Sequence, residues 1–227
     1  MNSSSFWKNW LKNLPKDSYE TVIVTKGNRV NASAARMWWD GETMRFMIFY
    51  GSDMYSFIQN SQEFGVSMYP MDDLYPIVRA ALLGYRDEEE EFSLDEYEEL
   101  LGVHVLKDAP ASFVASVQNI DTRVVKDDVG ESRVMDVVTY PVQGVVEDIM
   151  EELKPVRVDE SRILISASCI TRALFLLKEG KDEKAGEWAA ESRKRLCCAP
   201  TDLEAELSQS NSMAKELVSI SLKIFED

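Results

Sequence analysis

The sequence predicts an α+β fold: an antiparallel β-barrel with helices inserted between its strands, followed by an all-helical region. Three observations carry this. Apolar residues alternate with period two through "YETVIVTK", "VNASAARMWW" and "ETMRFMIFYG", residues 19–51, the mark of half-buried strands. The same pattern returns in "SFVASVQNIDTRVVKDDVGESRVMDVVTYPVQGVV", residues 112–146. After Pro155 the spacing becomes helical.

Each element follows from local chemistry. Residues 1–18 place Phe6, Trp7, Trp10, Leu11 and Leu14 at helical spacing with Lys8, Lys12 and Lys16 between them. This predicts an amphipathic N-terminal extension that packs on the body; it is short and lightly charged for a helix lying on a membrane. Pro15 and Asp17-Ser18 close it, and the barrel domain is expected over 19–155. The second strand holds Ala32, Ser33, Ala34 and Ala35 at its centre. Small residues give up packing, which is warranted where another backbone or a ligand approaches closely. The third strand follows the turn at Asp40-Gly41 and leads to Gly51-Ser52 at the head of the helix "DMYSFIQNSQ", with Ser52 as its cap. Free amides and the helix dipole make such a start a candidate anion position.

A short strand, "EFGVSMYP", and a helix, "DDLYPIVRAALLGY" ending at Gly84, come next. Residues 87–99 hold nine acids, and Ser93 with Glu96 forms a capping box, so a solvated loop with a short acidic helix is expected. The alternating oxygen ligands and central glycine of a calcium loop are missing. Two or three strands around the turn "KDDVGES" would complete the barrel. The helical region, 156–227, contains three amphipathic helices, the last opened by a capping box from Thr201 to Glu204.

Composition restricts the function. With 45% hydrophobic residues the 227-residue chain can bury a sizeable core. A formal charge of -15 argues against a nucleic-acid surface, which needs clustered Lys and Arg, and against adhesion to anionic lipid. No apolar stretch is long enough for a membrane span, and the N-terminus lacks the apolar core of a signal peptide, so a cytoplasmic location is expected. Cys169, Cys197 and Cys198 show no CxxC spacing and only His104 is available beside them, which reads as reduced thiols and not a metal site. One histidine and no GxSxG leave no Ser-His-Asp hydrolase. The phosphate-binding glycine motifs GxxxxGK and GxGxxG are absent as well. His104 itself reads as a surface or hydrogen-bonded residue. The residues alone show no reaction.

A family pattern nevertheless runs through residues 19–84. Glu20-Thr21 and Val24-Thr25, then Asn31-Ala32, then Gly51-Ser52 with Tyr55, then Val66 and Asp72-Asp73 resemble, in order, the motifs of an uncharacterised, largely archaeal family in the FMN-binding split-barrel superfamily. The resemblance implies a homodimer of six-stranded split β-barrels with FMN near the dimer interface. It implies a flavin ring along the Asn-Ala strand and a phosphate by the Gly-Ser turn, with Asn31, Ala32, Ser33, Arg36, Gly51, Ser52, Tyr55 and Ser67 as cofactor-binding residues. Ala34-Ala35-Arg36 stands where the family has Pro-Met-Gly, Asp53 where it has Arg, and Ser67 where it has Asn. Asp53 puts a negative charge beside the phosphate unless another cation turns in, and Arg36, or more remotely Arg79, is the expected substitute. The family reading implies an FMN-binding protein, with flavin-dependent oxidoreduction of an unknown substrate as the activity such a cofactor would support. The alternatives are a split-barrel homodimer that has lost flavin and serves as an interaction module, and a different ligand such as haem or a deazaflavin.

Overall fold

The computed structural model describes residues 3–27, 29–50, 52–83, 91–127, 130–152, 154–158, 160–197 and 209–225. Helix α1 (Ser3–Asn13) precedes strands β1 (Asp17–Lys26), β2 (Val30–Trp39) and β3 (Met44–Phe49). Then come α2 (Asp53–Asn60), β4 (Glu63–Met68), α3 (Tyr75–Leu83), and a two-stranded ribbon of β5 (Tyr97–Leu100) and β6 (Val103–Leu106). The long strands β7 (Ala111–Asp127) and β8 (Gly130–Val146) lead into α4 (Ile149–Glu152), α5 (Arg162–Lys178), α6 (Asp182–Cys197) and, after residues outside the description, α7 (Gln209–Leu222).

Six strands close an antiparallel barrel in the order β1-β2-β3-β8-β7-β4, with β4 pairing back onto β1. Closure leaves few exposed sheet edges. The tight β2–β3 hairpin is set by Asp40, whose carboxylate accepts from the Glu42 and Thr43 amides and the Thr43 hydroxyl. Those hydrogen bonds hold its carboxyl down at about 2. Gly41 takes the positive φ the turn requires (+97°).

Both barrel ends are plugged. At one, α1 inserts Trp7 and Leu11 beside Phe113, and the Trp10 indole donates to the Met150 carbonyl at 2.9 Å. At the other, α2 links the end of β3 to the start of β4 and buries Met54, Tyr55 and Ile58. A second apolar core lies outside the barrel: Val22, Val24 and Ala32 pack with Leu74, Ile77 and Leu82 around α3, and with Leu164, Ile170 and Val218 of the later helices. The acidic stretch differs from expectation. Residues 87–90 lie outside the described residues; among the described ones Leu94–Glu96 turns as a short 3-10 segment with the Ser93–Glu96 capping box, and the β5–β6 hairpin follows. Its strands are four residues each, too short to show a period among so many acids.

Candidate functional site

The barrel end closed by α2 carries most of the residues singled out in the sequence. Register sorts β2 into two faces. Ala32 and Ala34 lie opposite Val24 and Val22 on the outer face, while Asn31, Ser33 and Ala35 lie opposite Thr25, Ile23 and Thr21 on the inner one. Ala32 is fully buried in the outer core that α3 builds, so helix-on-strand packing accounts for a small residue there. Asn31 is buried and donates to the Ser33 hydroxyl at 3.1 Å. Across from it, the buried Thr25 hydroxyl has no hydrogen-bond partner among the described residues. An unpaired buried hydroxyl costs free energy and marks a place where a polar group is wanted.

Ser52 caps α2: its hydroxyl accepts from the Tyr55 amide at 3.2 Å and donates to the Phe49 carbonyl at 2.9 Å. The β1–β2 turn is pressed onto this helix. A Cβ on Gly27 would sit 2.2 Å from the Phe57 ring, so only glycine permits the approach. The turn delivers Arg29, whose guanidinium donates to the Asp53 carboxylate at 3.1 Å, both side chains more than half exposed. Tyr50, 63% exposed, meets the edge of the buried Tyr55 ring at 5.2 Å. The Arg133 guanidinium lies 5.9 Å from the Tyr50 ring centroid, with no carboxylate within 4 Å among the described residues. The start of α2 is thus an exposed aromatic surface with two guanidinium groups, suited to an anion joined to a flat ring.

Gly51 lies outside the described residues. Two other expected site residues lie apart from this cluster. Arg36 is five residues along β2 from Asn31, about 17 Å at strand rise, and pairs with Glu20 at 3.3 Å. Ser67 is fully buried beneath the ribbon, its hydroxyl 3.1 Å from that of Ser112 and accepting from the Leu106 amide at 3.2 Å. The remoter substitute, Arg79, is held by both carboxylate oxygens of Glu96. The cation that turns in on Asp53 is instead Arg29. Sequence reasoning passed over both Arg29 and Arg133. Glycine two residues before Arg29, in a tight turn, was the one local signal available. Arg133 is placed beside Tyr50 by the β3–β8 register, which no local pattern announces.

Among the described residues, no group of His, Cys, Asp and Glu is arranged to hold a metal ion, and no helix is long and apolar enough to cross a membrane.

No family model matches the chain, and no curated protein matches it by sequence. Solved structures do match. An FMN-bound protein from Methanosarcina mazei, described under the family model DUF447, covers 92% of this chain and 96% of its own at TM-score 0.57 and 16% identity. A flavin reductase domain protein from Arthrobacter sp. FB24 covers 63% of this chain and 85% of its own at TM-score 0.45 and 19% identity. At such identity likeness speaks to architecture and not to chemistry. The first match spans both the barrel and its helical layer, and with the closed six-stranded antiparallel topology it establishes that the chain has the α+β split-barrel fold.

Proposed function

We propose that this protein binds FMN at the α2 end of the barrel and acts as a flavin-dependent oxidoreductase in the form of a cytoplasmic homodimer. The observation that carries the reading is the pair of guanidinium groups, Arg29 and Arg133, at the start of α2 beside the exposed Tyr50. The residues fit the group. Arg29 and Arg133 supply the positive charge a phosphate needs, Tyr50 offers an aromatic face, and the orphan Thr25 hydroxyl with Asn31 offers polar contacts for a ring edge. When bound, the flavin supplies the electron-transfer chemistry; the protein binds, orients and shields it, which accords with a chain that shows no catalytic triad. The FMN-bound protein from Methanosarcina mazei, which shares the fold over 92% of this chain, supports the same direction.

The dimer reading rests on the barrel face away from the helical layer. Met47, Phe49, Tyr50 and Val124 are all more than 40% exposed there, an apolar surface suited to a second copy. Free thiols at Cys169 and Cys197 accord with a reducing compartment. The burial of Ala32 and Ser67 favours a second reading, a split barrel without flavin that serves as an interaction module.

Titration of the purified protein with FMN and riboflavin, followed by flavin fluorescence and the visible spectrum, decides between them. Saturable FMN binding that weakens in Arg29→Ala and Arg133→Ala, with riboflavin unaffected, supports the flavin site. No binding of either flavin leaves the interaction module. Sedimentation showing a monomer at micromolar concentration would refute the dimer.

A further inference from the structure

A second cleft opens at the same barrel end on the outer face and shares no residue with the α2-start cluster. It has a volume of about 440 Å³ and lies between the end of β1, the start of β4 and the tip of the β5–β6 ribbon. That size falls within the range of small-molecule sites. Lys26, His104, Gln62, Glu63, Val24 and Gly102 are among its walls.

Its construction is specific. The ribbon lies directly on β4 because residue 65 is glycine: a Cβ there would stand 2.1 Å from the His104 carbonyl oxygen. The hairpin tip, Leu101-Gly102, has positive φ at both residues (54° and 78°), the twist that two-residue hairpins favour. These two features seat His104 at the cleft with its side chain 15% exposed. Its Nδ1 is buried and has no hydrogen-bond partner among the described residues. Its Nε2 stands 3.8 Å from Glu99, beyond hydrogen-bond reach. Lys26 has no carboxylate within 4 Å among the described residues, and its charge acts on the imidazole. An ammonium group and an under-bonded imidazole therefore line one cavity on a chain whose overall charge is -15.

We propose that this cleft binds a small molecule bearing an oxyanion, a carboxylate or a phosphate ester, held by the Lys26 ammonium and the His104 imidazole. Burial, and after it the charge of Lys26, holds the imidazole below its ordinary range and so favours its neutral form. A bound anion reverses that balance, favouring the charged form against desolvation, with Glu99 and Glu63 the other charged groups facing it. Linkage makes the effect reciprocal: anion binding raises the His104 pKa, and protonation tightens the anion.

His104 is the sole histidine, so its ring resonances in NMR report this cleft alone. Sulfate, a dianion across the whole pH range, stands for phosphate esters, and acetate for carboxylates, each against chloride at constant ionic strength. The full chain is used, with and without FMN, so that a failed flavin reading leaves this test intact. The expected result is a saturable shift of the His104 resonances by one or both anions, with its pKa raised by half a unit or more. Lys26→Gln should weaken the anion at least fivefold, and Lys26→Arg, which keeps the charge, should retain it. Identical His104 titrations in sulfate, acetate and chloride overturn the proposal, as does a response that survives unchanged in Lys26→Gln.

Discussion

Replacing Asp53 with Asn tests the proposed phosphate position at the start of α2 while leaving its shape intact. Asp53 and Arg29 form an ion pair at 3.1 Å whose side chains are 58% and 56% exposed. Such a pair contributes ~0.2–1 kcal/mol, so Asp53→Asn should lower the melting temperature by less than about 4 °C. For FMN the change acts twice: it removes an anion beside the phosphate and releases Arg29 from its carboxylate. A hydrogen bond to a charged group is worth roughly 1.5–3 kcal/mol, and solvent screening at this exposed site favours the lower end. Since about 1.4 kcal/mol is tenfold in affinity, FMN should bind about tenfold more tightly. Riboflavin, without phosphate, should change little. Asp53→Arg introduces the residue found in the motif this turn resembles but sets a second guanidinium against Arg29, so its gain should be smaller and its stability lower than that of Asp53→Asn. Fluorescence titration of both flavins reads the outcome. Equal responses of FMN and riboflavin, or an unchanged FMN affinity, would refute placement of the phosphate at this turn.

Other substitutions probe the scaffold. Gly65→Ala drives a Cβ into the His104 carbonyl and must shift the ribbon; a loss of about 1–3 kcal/mol is expected in urea unfolding, and a neutral result would mean the ribbon packs elsewhere. Leu101 holds φ 54° with its side chain mostly in water, so Leu101→Gly should stabilise the protein by roughly 0.5–1 kcal/mol in the same assay. Burial raises the Asp73 carboxyl above its ordinary value. Because its folded-state pKa exceeds the unfolded one, its stability contribution is present below the unfolded value and is lost as pH rises through the folded one. Asp73→Asn keeps an acceptor for the Ser210 hydroxyl and should therefore raise the melting temperature at pH 7 but not at pH 3; a lower value at pH 7 would count against this. Deleting residues 161–227 strips Leu164, Ile170 and Val218 from the outer core, and should leave a barrel that aggregates and binds apolar dyes. A soluble, fully folded truncation would contradict that packing.

The strands were legible where alternation was long and uninterrupted. β1, β2 and β3 follow the period-two runs closely, and Asp40-Gly41 marks its own hairpin because the side chain and the positive φ are both local signals. The Ser52 cap was equally legible, since capping depends on three consecutive amides. The ribbon β5–β6 was hidden because its stability comes from lying on Gly65 and Ser67, contacts about forty residues away in the chain. For the candidate site, Asn31, Ser33, Ser52 and Tyr55, singled out in the sequence, gather at the α2 end of the barrel, the proposed place of the flavin. Sequence reasoning misjudged the cations: Arg36 goes to Glu20 by register, and Arg29 reaches Asp53 through a turn fitted against Phe57. Register decides such questions, and register is a property of paired strands, not of either strand alone.

The junction between α3 and α7 bears on how the chain reaches its native state. The Leu74 amide donates to the Asn211 side-chain carbonyl, and the Tyr75 amide to the Ser210 hydroxyl. The Asn211 amide group donates in turn to the Met71 carbonyl. The first turn of a helix made early in synthesis is therefore completed by residues about 135 positions later. During translation α3 can rest on β1 and β2, but its leading amides have only water until α7 has left the ribosome. Closure of so long a loop is entropically slow. The final lock of the outer core thus waits for α7, and a nascent fragment ending before residue 210 carries an α3 that frays from its N-terminus.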